Sequence, residues 1–389
     1  MLKSLAQNLS LCVISFPLQN YVPLAILLRT LEPLADRITV ITGNFPSEAV
    51  SSEKITIKEI KHDRKQQTIL VRIPKYIITQ LKILYQLINV GNKANIVIFF
   101  VGGPGLLLPM LAARWLRKKI LLIVTTGPSS KSIREIYKKS LWGAGAVIFS
   151  RLFSILEKLS YNLSTRLVVY SPSLISFGNL EKYQRKIFIA HEHFVDFDTF
   201  KPERTLSGRG DLVGYIGRLS GEKGVMNFIN AIPKVLEARE KTMFLVIGQG
   251  PLRAEIEELL DTHNLSNKVS LLGWVPHNEL PEYINQLKLL VLPSYTEGLP
   301  NIILEAMACG TPVLATPVGS IPDLIKDGET GFILADNSPE NIAASILRAL
   351  GHPKLKEITG NARRFVEQNY TYEIAVAGYR NILASLTPG

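Results

Sequence analysis

The sequence contains little cysteine and few acidic residues over a long stretch of its first half. Cys12 and Cys309 are the two cysteines among 389 residues. They are too few for a disulfide framework, so both are expected to be buried free thiols in a reducing compartment. Residues 1–8 lack the basic and long apolar regions of a signal peptide, and none is predicted. The sequence therefore indicates a cytoplasmic protein rather than a disulfide-rich secreted one.

Acidic residues are scarcest in residues 64–190, which hold 20 Lys and Arg against Glu135, Glu157 and Glu181. Residues 1–206 carry a net charge of +15, whereas residues 207–389 carry −4. This asymmetry predicts an anionic partner for the N-terminal half, either nucleic acid or an anionic membrane. The sequence shows no helix-turn-helix, zinc-finger, RRM or KH signature, which disfavours nucleic acid.

An apolar helical pattern in residues 140–160 favours the membrane. Five residues share one helical face, with three aromatic residues at its margin and four basic residues around it: Ile148, Leu152, Ile155, Leu156 and Leu159; Trp142, Phe149 and Phe153; Lys138, Lys139, Arg151 and Lys158. Two interpretations stay open, a helix packed against its own sheet and a helix lying on a membrane. The basic surroundings favour the second, so peripheral contact at the cytoplasmic face of an anionic membrane is predicted.

A membrane-spanning helix is not predicted. Residues 96–113 contain no charge and reach the length of a candidate span. The sequence Gly102-Gly103-Pro104-Gly105, however, divides this stretch into a strand, a turn and a helix.

Short apolar runs alternate with helical patterns along the whole chain. The runs of strand length are 11–16, 38–41, 96–101, 120–124, 167–170 and 187–190 in the first half, and 212–216, 243–247, 269–272, 287–292 and 312–315 in the second. This alternation predicts an α/β fold with two doubly wound parallel sheets. The polar stretch 201–210 is the predicted boundary, which gives domains 1–206 and 207–371.

Two glutamates bracket a predicted strand-to-helix turn near the C-terminal end. Glu297 lies in the turn after the run 287–292, and Glu305 lies in a predicted helix over 301–309. A helix N-terminus after a parallel strand is suited to hold phosphate, and flanking carboxylates are suited to accept hydrogen bonds from hydroxyls. A diphosphate between two polyols, as in a nucleotide sugar, fits this arrangement. The alternative is that both glutamates are solvated surface residues.

A glycine-rich basic loop follows the predicted strand 212–216. It contains Gly217, Arg218, Lys223 and Gly224. Glycines allow a ligand close to the backbone, and the two cations suit a diphosphate.

Together these elements resemble the donor-binding half of glycosyltransferase family 4. The matching residues are Gly217-Arg218-Leu219 with Glu222-Lys223-Gly224, and then two glutamates separated by seven residues; similarity extends to 246–251, 272–275 and 319–323. The resemblance covers about residues 211–334. It implies a retaining hexosyltransferase of the GT-B type, with two Rossmann-like domains facing an interdomain cleft. A last helix, about 372–389, is expected to pack back on the first domain.

The resemblance also implies roles for individual residues. Arg218 and Lys223 are expected to bind the donor diphosphate, Glu297 the sugar hydroxyls and Glu305 the ribose hydroxyls. Arg218, Lys223 and Glu297 form the expected catalytic set. Further donor-binding residues are expected to be Gly217, Gly248, Val275, Gly298, Leu299, Pro300 and Asn301.

The N-terminal half departs from the family pattern. No glycine pair follows the run 11–16, and no histidine follows a strand where the family often places one, since Thr125-Thr126-Gly127-Pro128-Ser129 occupies that position. His191 and His193 raise the alternative of a metal site, but an interdomain loop is favoured, and neither a metal nor a cofactor is predicted. The expected partners are a nucleotide sugar and a lipid or lipid-linked acceptor. The alternatives are a binding protein of this fold without turnover and a nucleic-acid-binding protein.

Overall fold

The structure is a computed structural model that describes residues 9–18, 21–50, 52–60, 69–91, 93–126 and 143–387. The chain divides into two compact units. The first contains Met1–His193 and Tyr372–Gly389, and the second contains Phe194–Thr371. Each unit is built around one parallel β-sheet.

Seven strands form the sheet of the first unit within the part of the chain described. They are β1 Ser10–Ile14, β2 Arg37–Thr42, β3 Ile55–Glu59, β4 Ile96–Phe99, β5 Lys119–Val124, β6 Arg166–Val169 and β7 Ile187–Ile189. Their order is β3-β2-β1-β4-β5-β6-β7, and each pair is parallel. From β1 the chain adds strands β2 and β3 on one side, and then β4 to β7 on the other. The switch point therefore lies between β1 and β4, and open α/β sheets bind ligands at such a point.

The described helices of this unit cover the faces of its sheet. They are α1 Val22–Leu31, α2 Ile69–Gly91, α3 Leu107–Trp115, α4 Gly143–Leu163, α5 Pro172–Gly178 and α13 Tyr372–Ala384. The stretch 96–113 folds as predicted, into strand β4, a short 3-10 turn at Gly103–Gly105 and helix α3. No helix in the described ranges is both long and apolar enough to cross a bilayer.

Helix α13 belongs to the first unit although it follows the second unit in sequence. It packs on α1, and the Tyr372 hydroxyl donates to the carbonyl oxygen of Arg29 at 3.1 Å. Tyr379 is fully buried and donates to Glu192 Oε2 at 2.9 Å. The two segments that flank the second unit in sequence therefore share one core.

In the second unit, the described residues contain six parallel strands. They are β8 Leu212–Ile216, β9 Met243–Ile247, β10 Val269–Leu272, β11 Leu289–Leu292, β12 Val313–Ala315 and β13 Phe332–Ile333. The order is β10-β9-β8-β11-β12-β13, so the switch point lies between β8 and β11. The runs predicted as strands in this half all form strands, and β13 is an additional short one.

The helices of the second unit connect these strands. They are α6 Val225–Ala238, α7 Arg253–Thr262, α8 Leu280–Ile284, α9 Asn301–Ala308, α10 Ile321–Leu324, α11 Pro339–Leu350 and α12 Leu355–Asn369. Helix α6 shows why such segments bury one face. Its buried residues Val225, Phe228, Ile232 and Val235 recur at helical spacing and join the core beside β8 and β9.

The division between the units falls after His193, thirteen residues before the predicted boundary at 206. The predicted boundary stretch 201–210 is polar in sequence, but the chain from residue 194 onward is bonded to the second unit. The amide of Val195 donates to the carbonyl of Tyr370, and the amide of Glu203 donates to Asn285 Oδ1. Composition does not reveal such backbone contacts, which is why the polar stretch suggested a later boundary.

Arg209 is buried in the second unit at 6% exposure, and its Nη2 donates to Arg204 O of this segment at 3.2 Å. Its Nη1 donates to Leu287 O at 3.0 Å and to Thr311 Oγ1 at 2.6 Å, and its Nη2 donates to Cys309 O at 2.8 Å. The buried guanidinium thus satisfies the ends of several neighbouring elements at once.

Replacing this guanidinium tests its contribution to stability. Arg209→Met is expected to lower the free energy of unfolding by about 3 kcal/mol, because buried carbonyl oxygens lose their donors. Urea unfolding followed by circular dichroism measures the change. Arg204→Met, at an exposed position of the same segment, is the matched control and should change the value by less than about 0.5 kcal/mol. Equal effects of the two substitutions would contradict the prediction.

Candidate active site

The predicted donor-binding residues meet at the carboxyl edge of the second sheet. Gly217 follows β8, Gly248 follows β9, and Glu297 lies in the loop after β11. These three strands are adjacent and include the switch point. The fold therefore brings together residues that lie up to eighty positions apart in sequence, at the edge where α/β sheets bind ligands.

The basic loop after β8 is held by backbone contacts. The buried hydroxyl of Tyr215 donates to Arg218 O at 2.8 Å, and the amide of Leu219 donates to Gln249 O. The side chain of Arg218 is 54% exposed, and its Nη2 lies 2.6 Å from Glu222 Oε1. An exposed ion pair of this kind stabilises the protein by at most about 1 kcal/mol. A ligand anion of higher charge can therefore replace Glu222 as the partner of Arg218.

Lys223 and Glu297 form the central ion pair of the site. Lys223 Nζ lies 2.7 Å from Glu297 Oε1, with the two side chains 23% and 7% exposed. The hydroxyl of Ser294, which is fully buried, donates to the same carboxylate oxygen at 2.7 Å. The alternative of a solvated Glu297 is thus not what the structure shows. A buried carboxylate with fixed donors is positioned for specific hydrogen bonding.

The loop that carries Glu297 lies between two glycines with positive φ. A Cβ on Gly224, at φ +67°, would lie 2.0 Å from Pro293 O, and one on Gly319, at φ +61°, would lie 2.1 Å from Glu297 O. The amide of Ser320 also donates to Gly298 O at 2.9 Å. The Pro293–Gly298 segment is therefore set by backbones that approach it from both sides, which side chains would prevent.

Helix α9 begins directly after this loop. Pro300 is its N-cap residue, and Asn301 is its first residue. The first amides of a helix have no partner within it, and they carry partial positive charge. Gly298, Leu299 and Pro300 lead into this helix end beside Glu297, as the sequence predicts. The site thus combines one helix N-terminus with Arg218 and Lys223.

Glu305 lies on α9 and is also buried, at 7% exposure. Its Oε1 lies 2.8 Å from Nε2 of His277, a residue that the sequence interpretation did not include in the site. His277 packs on the Phe200 ring with centroids 5.1 Å apart. The hydrogen bond to Glu305 raises the pKa of His277 above its usual value, although burial acts in the opposite direction. In the sequence, His277 follows Trp274 by three residues, and this closeness to the predicted base-side stretch could have indicated its place in the site.

The predicted base-side residues lie after β10. Trp274 is 69% exposed and Val275 is half-buried. The amide of Gly248 donates to Gly273 O at 3.1 Å, which joins this stretch to the loop after β9. Trp274 therefore offers an open aromatic surface beside the site.

The first unit contains a separate cavity of about 220 Å³. It lies at the carboxyl ends of β4 and β5, and Val101, Gly102, Thr125 and Thr126 line it together with the α4 residues Phe153, Glu157 and Tyr161. The α4 residues recur every fourth position and so share one helical face. Glu157 is 3% exposed. The sequence interpretation counted it only as a rare acid, whereas residues 127–129, predicted to replace a family histidine, lie outside the described residues.

His191 and His193 surround a buried carboxylate. Glu192 is 1% exposed, and the hydroxyls of Tyr170 and Tyr379 donate to it at 2.6 and 2.9 Å. Burial raises the pKa of Glu192 and lowers the pKa of His191 to about 4 and that of His193 to about 3. Nδ1 of His191 bonds to His193 O at 2.9 Å. Among the residues described, no group of three or more ligating side chains is placed to hold a metal.

Comparison with known proteins bears on the second unit most directly. Residues 196–365 match the family model described as glycosyl transferases group 1. An α-D-kanosaminyltransferase of Streptomyces kanamyceticus is 32% identical over 212 residues, which are 52% of this chain and 55% of that protein. The chain spans about half the length of the curated relatives it matches. These matches confirm the resemblance of the second unit to group 1 glycosyl transferases.

Solved structures match nearly the whole chain. Anabaena HepE in complex with UDP and glucose aligns with a TM-score of 0.73 at 14% identity, covering 97% of this chain and all of that one. Sucrose-phosphate synthase from Thermosynechococcus elongatus gives the same TM-score and coverage at 19% identity. These similarities concern the fold, and they confirm the predicted GT-B class with its two parallel-sheet α/β domains.

The close approach at Gly319 gives a test of the site's construction. Gly319→Ala is expected to weaken ligand binding at this site by about tenfold or more, because the added methyl group displaces the backbone at Glu297. Gly328→Ala is the matched control: its φ is +74°, but a Cβ there meets nothing within 4 Å. The control should cost about 1–2 kcal/mol of stability from backbone strain alone and leave binding intact. Titration calorimetry on both variants distinguishes the two effects, and equal binding would refute the assignment.

The His277–Glu305 pair predicts a pH dependence of stability. Folding raises the pKa of His277 above its usual value of 6.5. The pair therefore stabilises the folded state fully at pH values below 6.5, and this stabilisation is lost as pH rises through the raised pKa. His277→Gln should therefore lower the melting temperature more at about pH 6 than at about pH 9. In a Glu305→Gln background the same substitution should have no pH-dependent effect. An unchanged pH dependence in that background would contradict the pairing.

Proposed function

We propose that the protein transfers a hexosyl group from a nucleoside diphosphate sugar to an acceptor with retention of anomeric configuration. The observation that carries the proposal is the cluster at the β8–β11 switch point, where Lys223, Glu297 and the N-terminus of α9 converge with Arg218 nearby. Two cations and a helix end suit a diphosphate, and the two buried glutamates suit hydroxyl groups on either side of it.

Binding of the donor requires the cations to exchange partners. Arg218 leaves Glu222, and Lys223 turns from Glu297 toward the diphosphate. Glu297 then accepts hydrogen bonds from sugar hydroxyls and Glu305 from the ribose, with His277 as a neighbouring donor. HepE was solved with UDP and glucose, which makes UDP-glucose the first donor to test.

In the proposed reaction, the bond between the anomeric carbon and the diphosphate oxygen breaks while the acceptor oxygen attacks on the same face. The departing phosphate oxygen takes the acceptor's proton. Negative charge grows on the diphosphate, so Arg218, Lys223 and the α9 N-terminus stabilise the transition state more than the ground state. These protein groups neutralise the charge, and no metal ion or other cofactor takes part in the proposed step.

We assign the acceptor to the cavity of the first unit. Glu157 can accept a hydrogen bond from a hydroxyl group of the acceptor, while Phe153 and Val101 present apolar surface to the rest of the acceptor. The basic composition of residues 64–190 favours an anionic acceptor at a membrane, such as a lipid or lipid-linked glycan. We further propose that the protein acts as a peripheral enzyme on the cytoplasmic face of that membrane.

The catalytic assignment predicts a large loss of turnover in two variants. Arg218→Ala should lower kcat/KM for sugar transfer by about 10²-fold or more, because Arg218 stabilises the negative charge that develops on the diphosphate. Glu297→Ala should cause a loss of about the same size, because the sugar hydroxyls lose the hydrogen-bond acceptor that positions them. Release of the nucleoside diphosphate, measured with and without acceptor, reports the reaction.

Lys234→Ala is the control, because Lys234 forms an exposed ion pair with Glu340 in the same unit. It should retain normal turnover, and so should the wild-type protein in EDTA. Near-normal activity of both Arg218→Ala and Glu297→Ala would overturn the assignment. Tight donor binding without turnover under any acceptor condition would indicate a binding protein instead.

A further inference from the structure

The outer surface of three neighbouring helices in the first unit is unusually apolar. Helix α2 packs on α3, and α3 packs on α4. Ten large hydrophobic side chains on these helices are exposed, and we call them the three-helix face: Ile77, Ile78, Leu81, Tyr85 and Ile88 on α2, Leu111 and Trp115 on α3, and Leu152, Ile155 and Leu159 on α4. Soluble monomers rarely expose a contiguous apolar patch of this kind without a function.

The exposed residues follow helical spacing and are not scattered. On α2 they recur at intervals of three or four, while Ile83 and Leu87 are buried on the opposite side. The helix is therefore apolar on both its inner and its outer side. A surface helix normally has a polar outer side, so this pattern indicates that something apolar covers α2.

Helices α3 and α4 continue the pattern. Trp115 is 77% exposed at the end of α3, and an exposed tryptophan beside basic residues is typical of the region where lipid headgroups meet acyl chains. On α4 the exposed Leu152, Ile155 and Leu159 lie on one side. This is the apolar pattern that the sequence left open between packing on the sheet and lying on a membrane. The structure leaves these three side chains exposed.

The charges of the same helices identify the partner. Among their described side chains, each exposed charged one is basic: Lys82, Arg114, Arg151 and Lys158. Their single acidic residue, Glu157, is buried and faces the cavity. A second copy of the chain would bring like charges together, whereas anionic headgroups complement these side chains.

We propose that the three-helix face docks on an anionic lipid bilayer, with its apolar side chains among the acyl chains and its basic residues at the headgroups. The geometry is that of an interfacial helix layer. The inference deepens the proposed function, because it rests on a membrane-borne acceptor. Helix α4 connects the two, since its Phe153–Glu157–Tyr161 side lines the cavity and its Leu152–Ile155–Leu159 side is part of the docking face.

Vesicle co-sedimentation of the full chain tests the proposal. Binding to phosphatidylcholine vesicles that contain phosphatidylglycerol should exceed binding to pure phosphatidylcholine, and it should weaken as salt rises because screening shortens the range of the charges. An apolar variant, Leu81→Gln/Trp115→Gln/Ile155→Gln, and a basic variant, Lys82→Gln/Lys158→Gln, should each lower the partition coefficient by about tenfold or more.

Two control variants carry the same kinds of substitution outside the three-helix face. Ile189→Gln/Met243→Gln/Ile374→Gln changes three exposed hydrophobic residues outside the face, and Lys54→Gln/Lys58→Gln removes two exposed lysines of the first unit. Both should bind vesicles within about twofold of wild type. Equal losses in face and control variants would overturn the proposal. So would equal binding of wild type to neutral and anionic vesicles, or a wild-type dimer that the apolar variant converts to monomer.

Failure of docking and failure of the proposed function remain distinguishable. The face variants should transfer sugar normally to a detergent-soluble acceptor, and Glu297→Ala should bind vesicles like wild type. Sugar transfer without preferential binding to anionic vesicles would refute the docking face alone. Preferential binding without sugar transfer under any condition would refute the proposed function and leave the face in place.

Discussion

The close packing of backbone around the loop after β11 is the constraint on which the candidate donor site depends. Gly224 at the start of α6 and Gly319 after β12 touch opposite ends of this loop, where side chains would collide with carbonyl oxygens. The loop in turn positions Glu297 next to Lys223 and sets the start of α9. The positions of the charged groups at this site therefore depend first on the absence of side chains at Gly224 and Gly319.

Each unit contains groups that serve two purposes. In the second, each cation that suits a phosphate is already satisfied by a carboxylate, so the site is electrostatically neutralised before a ligand arrives. In the first, one helix divides its surface between a cavity and an apolar exterior. The first arrangement joins Lys223 and Glu297, which are distant in sequence, whereas the second arises from residues at helical spacing within α4.

Much of this could be predicted from the sequence where one physical signal dominates. Buried parallel strands are continuous apolar runs, and β8, β9 and β10 occupy the predicted residues. Edge strand β3 was missed because Ile55–Glu59 alternates polar and apolar residues and is partly exposed. His277 and Glu157 were missed for another reason: each gains its role from a partner or a cavity that the fold brings close, which no local pattern records. The boundary shift has the same origin, in hydrogen bonds from residues 194–209.

The attachment of α13 has a consequence for the order in which the molecule is made. Tyr379 reaches Glu192 across 187 residues, and Tyr372 reaches Arg29 across 343. During synthesis, which proceeds at about 5–20 residues per second and usually folds N-terminal domains first, the second unit leaves the ribosome whole while the first still lacks a helix. The first unit is thus completed only after the second has been synthesised, and its buried carboxylate acquires its second tyrosine at that stage.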